Sequence, residues 1–363
     1  MSKIKERLTN IRARMATQQV DFMALGPGPH MQWLLGFHPH ADERPCLLCI
    51  SQGSAAFLMP ALNAEGTRTN TDLAFHEWSD ADGPEQAFAR LLDDLAAQDA
   101  GCVVLDETMR ADFAALVQDA LPNAKRQFTD QTIGLLRMRK DADEYGALKA
   151  NARIADAAMQ AGWSAMAAGM SELDVAGVIR EEFAQRGAIP LFSIVGAGGN
   201  GAFPHHQTGD TKLQNGDAVV MDIGGGIDGY SSDITRMATI STPPEGYAEV
   251  HAIVEAAVQA AMKAARPGVK AHVVDDAARG VITDAGFGDY FVHRTGHGMG
   301  VEIHEQPYLT SVSETVLETG MVFSIEPGIY LPGRFGIRLE DIVILREDGP
   351  EIFSELPRDL RTI

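Results

Sequence analysis

Residues 291–341 read FVHRTGHGMGVEIHEQPYLTSVSETVLETGMVFSIEPGIYLPGRFGIRLED. His293, His297 and His304 stand among glycines, Glu326 follows in a Glu-Pro-Gly turn, and Glu340 stands beside Asp341. Imidazole and carboxylate without thiolate is the ligand set of a hydrolytic Zn, Mn, Co or Fe site. The fold then turns on whether another part of the chain supplies the remaining ligands on a similar scaffold.

Upstream, Asp222 and Asp233 lie on either side of GGGIDGYSS. A hairpin that opposes them centres between Ile227 and Asp228, and directly opposite residues project to one face. Glu326 and Glu340 flank PGIYLPGRFGIRL, and an opposed register there centres on Gly333. Four carboxylates on one dry face repel and take up protons unless cations sit between them. With His297 as the neutral nitrogen, five ligands suit two divalent ions sharing an activated water. Taken singly, Asp222 and Asp233 read as turn acids, Glu340-Asp341 as a solvated strand end and His297 as a hydrogen-bonded structural histidine. In matched hairpins the metal reading overtakes these.

The surrounding pattern repeats. LLRMRKDADEYGALKANARIADAAMQAGWSAM and SELDVAGVIREEFAQRG are helical, the second opened by a capping-box-like Ser171-x-x-Asp174. Strands LFSIV, AVVMDI and ITRMATI follow. YAEVHAIVEAAVQAAMKAARPG and VKAHVVDDAARGVITDAG are again helical, with strands MVFSI and LEDIVIL behind them. Helix, helix and strand pair, twice over, predicts an α+β domain at 134–363 with internal pseudo-duplication. Residues 1–133 predict a small α/β domain. A helix over 1–20 carries Ile4, Leu8, Ile11 and Met15 at helical spacing, and the strands DFMAL, LLCI, AAFLMP and CVVLDE alternate with helices at 83–98 and 111–123.

Composition excludes several classes. The chain has 363 residues, 45% hydrophobic and 22% charged, with a formal charge of −20. That charge speaks against nucleic-acid or anionic-membrane partners, which need a basic footprint. The N-terminus lacks the apolar core of a signal peptide, and no apolar run reaches the roughly 18 residues of a membrane span. Three cysteines, two of them a lone C-x-x-C (Cys46, Cys49) inside an apolar strand, point to burial and to a reducing, cytoplasmic setting. The run Gly196-Ala197-Gly198-Gly199-Asn200-Gly201 matches G-x-G-x-x-G, but Pro204, His205 and His206 follow where a dinucleotide site needs a helix. A loop delivering His205 to a cleft is the better reading.

Five separated pieces, GGNGAFPHH, MDIGGGIDGYSSDITR, HRTGHGMGVEIHEQP, SIEPGIY and GIRLED, resemble the pita-bread metallopeptidases of family M24, in their Xaa-Pro aminopeptidase and prolidase branch. The first 133 residues are similar to the creatinase-type N-terminal domain of that branch, with MQWLLGF resembling one of its strands. The resemblance implies two divalent ions, Mn foremost with Co, Zn or Fe as alternatives, on Asp222, Asp233, His297, Glu326 and Glu340. It implies a metal-bridging hydroxide as nucleophile, Glu326 as proton shuttle, His205 and His304 as cleft histidines that bind substrate and stabilise its reaction, His293 near the proline end, and Arg338 beside the metal centre. Ala197 stands where a serine is expected and Met237 where a threonine is common, which leaves substrate preference open.

The expected activity is hydrolysis of Xaa-Pro bonds in a dipeptide or a longer peptide. In GFHPHADERP, with His38 and His40, Arg44 is a candidate to bind a dipeptide's free carboxylate across a homodimer. Two other functions compete: a creatinase-like hydrolase or lyase of a small non-peptide compound, and an inactive binding module on the same fold.

Overall fold

The protein is described by a computed structural model covering residues 3–363. Met1 and Ser2, the start of the expected first helix, lie outside the described residues. The chain forms two compact units that divide between Arg137 and Met138.

In the first unit, the helix Lys3–Thr17 buries Leu8, Ile11 and Met15, the apolar stripe of its sequence. Among the described residues six strands form one sheet in the order Ala74–Trp78, Ala55–Pro60, Leu47–Ser51, Phe22–Leu25, Cys102–Leu105, Lys125–Gln127. The central strands are apolar on both faces, as a covered sheet requires. Phe22, Leu58, Phe88, Leu91, Phe113 and Val117 share one core beneath the helices Glu85–Asp94 and Ala111–Ala120. Each large side chain buried there contributes about 1.5–3 kcal/mol.

The segment expected to be a strand at MQWLLGF is instead the helix Pro29–Leu35. Pro29 is preset for a first helical turn, and Gly36, at φ 85°, ends the helix by donating its N–H to Gln32 O. Periodicity over so short an apolar run does not separate helix from strand; these two flanking residues do.

His30, in that helix, is buried. Arg137 Nη1 donates to His30 Nδ1 at 2.9 Å, which leaves Nε2 to face Thr129 Oγ1 at 3.2 Å and Glu107 Oε1 at 3.4 Å. Thr129 gives Glu107 both its hydroxyl (2.5 Å) and its N–H (3.2 Å).

In the second unit, the long helical stretch is broken into Ile133–Met138, which straddles the division, and Ala142–Ala165. Asp141 breaks it by accepting from the N–H groups of Asp143 and Glu144, a capping box completed by Glu144. Ser171 and Asp174 form the expected box on Glu172–Gln185. These two helices back a sheet of Ile234–Thr239, Ala218–Ile227 and Ile189–Ala197. The helices Tyr247–Ala264 and Ala271–Asp284 precede a second sheet, ordered Glu305–Leu309, Gly296–Gly298, Val322–Ile325, Asp341–Arg346, Gly349–Ile352. The helix–helix–sheet unit thus occurs twice.

Both hairpins form, one in a shifted register. In the first, Thr235 faces Asp222 and Tyr230 faces Ile227, so the turn is Asp228-Gly229 rather than the expected centre between Ile227 and Asp228. Both turn residues take positive φ (55° and 78°), the backbone of a tight type I′ hairpin. Asp-Gly adopts that backbone more readily than Ile-Asp, so the turn sets the register. Asp233 consequently falls across from Gly224, two residues from Asp222, and stays on Asp222's face. In the second hairpin Gly328 pairs with Arg338 and Ile325 with Asp341. That register opposes Glu326 to Glu340 about Gly333, as the sequence expects.

The Glu107 cluster yields a pH prediction. Burial alone would raise the Glu107 carboxyl; hydrogen bonds from His30 and Thr129 overcome it and hold the group at about 2. A folded value below the ordinary 4.5 stabilises the fold above pH 4.5, and the contribution fades as pH falls toward 2. Glu107→Gln should therefore be less stable than wild type at pH 7, with the gap narrowing between pH 4.5 and 3. Urea midpoints across that range measure it; a constant gap would refute the assignment.

Candidate active site

Of the five expected ligands, Asp222 and His297 lie on strands and Asp233, Glu326 and Glu340 in the short breaks beside strands, and all five meet at one place. The ligating atoms of His297, Glu326 and Glu340 lie within 4.8 Å of one another, as do those of Asp222, Asp233 and Glu340. Asp233 forms a third such group with His297 and His304. Two three-residue sets share Glu340, and Asp233 reaches toward both.

Glu340, Glu326 and His297 are held from behind. Thr235 Oγ1 donates to Glu340 Oε2 at 2.7 Å. Ser324 Oγ donates to Glu326 Oε1 at 3.0 Å and accepts the His297 N–H at 2.9 Å. His297 Nδ1 lies 3.1 Å from Gly298 O; a carbonyl only accepts, so Nδ1 carries the proton. Nε2 then faces Glu326 Oε1 at 3.2 Å and Asp233 Oδ2 at 3.7 Å. Fixing Nδ1 in this way is how proteins present Nε2 to a metal.

The electrostatics fit a pair of cations. Burial first, then the charges of Glu340, Asp222 and Glu326, push the Asp233 carboxyl well above its usual range. Burial, then Glu326 and Asp222, do the same to Glu340. Burial would raise Glu326 too, but its contact with His297 and the nearby guanidinium of Arg338 hold it at about 2. Asp222 Oδ1 and Asp233 Oδ1 are buried with no hydrogen-bond partner among the described residues. Buried acceptors without donors are costly. Divalent cations satisfy them, and a donor set of carboxylate oxygens with one imidazole nitrogen suits Mn, Fe, Co or Zn.

Arg338 lies beside this cluster and makes four hydrogen bonds. It donates to Asp222 Oδ2 (2.5 Å), Thr235 Oγ1 (3.1 Å), the Tyr330 hydroxyl (2.7 Å) and Pro204 O (3.4 Å). The Tyr330 hydroxyl lies 2.7 Å from His293 Nε2, while His293 Nδ1 lies 2.7 Å from Arg294 O. The carbonyl fixes the tautomer, so the chain runs Arg338 to Tyr330 to His293 to Arg294 O. Both nitrogens of His293 are thereby engaged within the protein. Burial raises Tyr330 to about 12, which keeps the phenol a donor. His304 packs its ring 4.1 Å from that of His297. His205 is exposed.

Arg44 belongs to the first unit. Asp80 takes it in a fork at 2.9 and 3.0 Å, and Glu43 adds a contact at 3.0 Å. A substrate carboxylate would have to displace Asp80.

Several residues that shape the site were missed in the sequence. Tyr330 shared a detectable signal: it lies two and four residues from Gly328 and Glu326, on one strand face. The buried acids Glu172 and Asp275 gave none, because an acid on a helix reads as solvated. Asp275 accepts from Thr295 N (3.0 Å) and Oγ1 (2.8 Å), and forks with Arg279, which also holds Phe291 O and His293 O. Glu172 accepts from Ala197 N (2.9 Å), Asn200 Nδ2 (2.8 Å) and Gly209 N (3.1 Å), and meets His206 Nε2 at 2.8 Å. One carboxylate thus gathers the loop that carries His205.

Comparison with known proteins agrees with this geometry. Residues 146–347 match metallopeptidase family M24, and residues 7–140 match the creatinase/prolidase N-terminal domain. A probable dipeptidase PepE of Mycobacterium tuberculosis is 37% identical over 98% of this chain and 95% of its own. An Xaa-Pro dipeptidase of Lactobacillus helveticus is 32% identical over 92% of each. The crystal structure of a prolidase from Thermococcus sibiricus superposes over 100% of both chains with a TM-score of 0.93 at 33% identity.

Glu172→Gln should free the His205 loop, since an amide cannot accept on both oxygens. Loss of charged hydrogen bonds of about 1.5–3 kcal/mol each should speed amide exchange at Ala197 and Gly209 by tenfold or more, leaving Thr295, anchored by Asp275, unchanged. Equal rates in variant and wild type at Ala197 and Gly209 would rule out the anchor.

Proposed function

The chain belongs to metallopeptidase family M24, and we propose that it hydrolyses the bond between an N-terminal residue and proline, with dipeptides as its main substrates. The observation that carries this reading is the pair of three-ligand sets sharing Glu340. The fold is the pita-bread catalytic domain preceded by a creatinase-type domain, and the relatives that match nearly the whole chain include enzymes named Xaa-Pro dipeptidase. A creatinase-like small-molecule reaction is not favoured, because relatives that match nearly the whole chain are named dipeptidases, and an inactive module is not favoured, because all five ligands are present.

Asp222, Asp233 and Glu340 would hold one ion, and His297, Glu326 and Glu340 the other. Bound ions lower the pKa of water and polarise a carbonyl. The protein's own part is positional. Glu326, ionised and held by Ser324, is placed to take a water proton and pass it to the departing proline nitrogen, which must gain one to leave. His304 and His205 line the approach and orient the scissile carbonyl. The Arg338–Tyr330–His293 chain keeps His293 neutral and its ring fixed, so that it offers the proline ring an apolar wall.

Mn is the proposed metal, for a site with a single nitrogen and no sulfur. Three free, buried cysteines support a cytoplasmic setting; among the described residues no helix is long and apolar enough to cross a membrane. A homodimer, with Arg44 serving the partner's site, completes the proposal.

Metal-free protein reloaded with Mn²⁺ should cleave Ala-Pro and, more slowly, a longer Xaa-Pro-Yaa peptide; Asp233→Ala should lose about 100-fold or more. Stoichiometric Mn²⁺ uptake with neither peptide cleaved would overturn the substrate assignment. Arg44→Ala should raise KM for the dipeptide and spare the longer peptide; equal effects on both would remove Arg44 from the site.

A further inference from the structure

Beside the ligand Asp233, the strand Ile234–Thr239 sends alternate side chains to opposite faces. Thr235 turns to the site and supports Glu340. Arg236 turns away and is 1% exposed, although it carries a full charge. All five of its N–H groups are used. Nε donates to Pro357 O at 3.0 Å. Nη1 donates to Thr235 O at 3.0 Å and to Glu340 O. Nη2 donates to Asp341 Oδ1 and Leu356 O, both at 2.7 Å. One guanidinium therefore grips the backbone of a metal-ligating residue and, with its other edge, the backbone of the C-terminal segment.

That segment is fastened along its length. Ser354 Oγ and Glu355 N donate to Asp156 at 2.6 and 2.8 Å. Arg358 forks with Glu255 at 2.8 and 3.0 Å and reaches the second oxygen of Asp341. Thr239 N donates to Arg361 O at 2.8 Å, and Ile363 N to Thr239 O at 2.9 Å. A cavity of about 910 Å³, lined by His251, Glu255, Asp341, Leu356 and Arg358 among others, opens between the segment and the helix Tyr247–Ala264. Leu356 and Ile363 of the segment also pack against the core behind the first sheet.

We propose that Arg236 is a positioning residue that couples docking of residues 354–363 to the placement of Glu340, so that metal occupancy and order of this segment rise together. The proposal rests on the reading of Glu340 as a metal ligand. A ligand's carboxylate cannot hold its position if its own backbone drifts, and groups behind the ligands set metal affinity by 10–100-fold. Coupling of this kind is reciprocal: whatever the segment does for the ion, the ion does for the segment.

The test uses the full chain stripped of metal, with Mn²⁺ as the probe. In the wild type, saturating Mn²⁺ should slow amide exchange across 354–363 by about tenfold or more. Arg236→Lys, which keeps the charge but offers three N–H groups, should bind Mn²⁺ 10–100-fold more weakly by calorimetry and lose the slowing. A merely structural arginine would lower the melting temperature of the metal-free variant yet leave Mn²⁺ affinity within threefold, and that result overturns the proposal. Should Arg236→Lys not fold, the wild-type exchange experiment decides: unchanged protection of 354–363 on loading overturns it. No Mn²⁺ uptake by the wild type overturns the metal reading itself, and this proposal with it.

Discussion

Four carboxylates and one imidazole converge in a pocket from which water is largely excluded, and the rest of the catalytic unit answers to that constraint. Like charges so close cannot all ionise in a low-dielectric site without compensation. The protein supplies part of it through Arg338 on Asp222 and through hydroxyls on Glu340 and Glu326. The remainder falls to divalent ions, which makes metal binding and local stability a single quantity. Arg338 cannot replace them: its donors reach Asp222, but Asp233 Oδ1 stays without a partner.

Around this charge the structure uses buried acids as anchors. Glu172 gathers the loop of His205, and Asp275 with Arg279 gathers the loop of His293 and the approach to His297. Each sits in the first half of a helix in one repeat, so the two repeats use analogous devices to aim analogous loops. The Lys140–Glu305 ion pair, with both side chains buried, does the same behind His304. Breaking one partner of such a pair strands the other charge, a loss larger than the pair's own worth.

Much of this was legible in the residues, for reasons that can be named. The second hairpin's register followed from Pro-Gly-Arg, because the turn and the spacing of Glu326 and Glu340 agree. The first was off by one step, because Asp228-Gly229 competes with the spacing of its acids and the turn wins; the shared face survived because the shift moved the pairing by two. MQWLLGF was misread because a seven-residue, mostly apolar run carries no decisive period, while Pro29 and Gly36 did mark a helix's ends. Glu172, Asp275 and Arg236 were invisible for another reason. Charged residues read as surface unless something shows what they are buried against, and these partners lie 20 to 120 positions away.

The duplication also bears on how the protein comes into being. Asp222 and Asp233 belong to the first repeat; His297, Glu326 and Glu340 belong to the second. On a ribosome, about a hundred residues separate the emergence of Asp233 from that of Glu340, roughly 5–20 s of synthesis. Until His297 follows, the nascent chain displays a half-site of two acids, and until Glu340 follows it lacks the shared carboxylate. Such a half-site holds an ion weakly, so metal capture is a late event that reports completion of the second repeat. Newly made chains would therefore draw from the cell's metal pool only once they can use it.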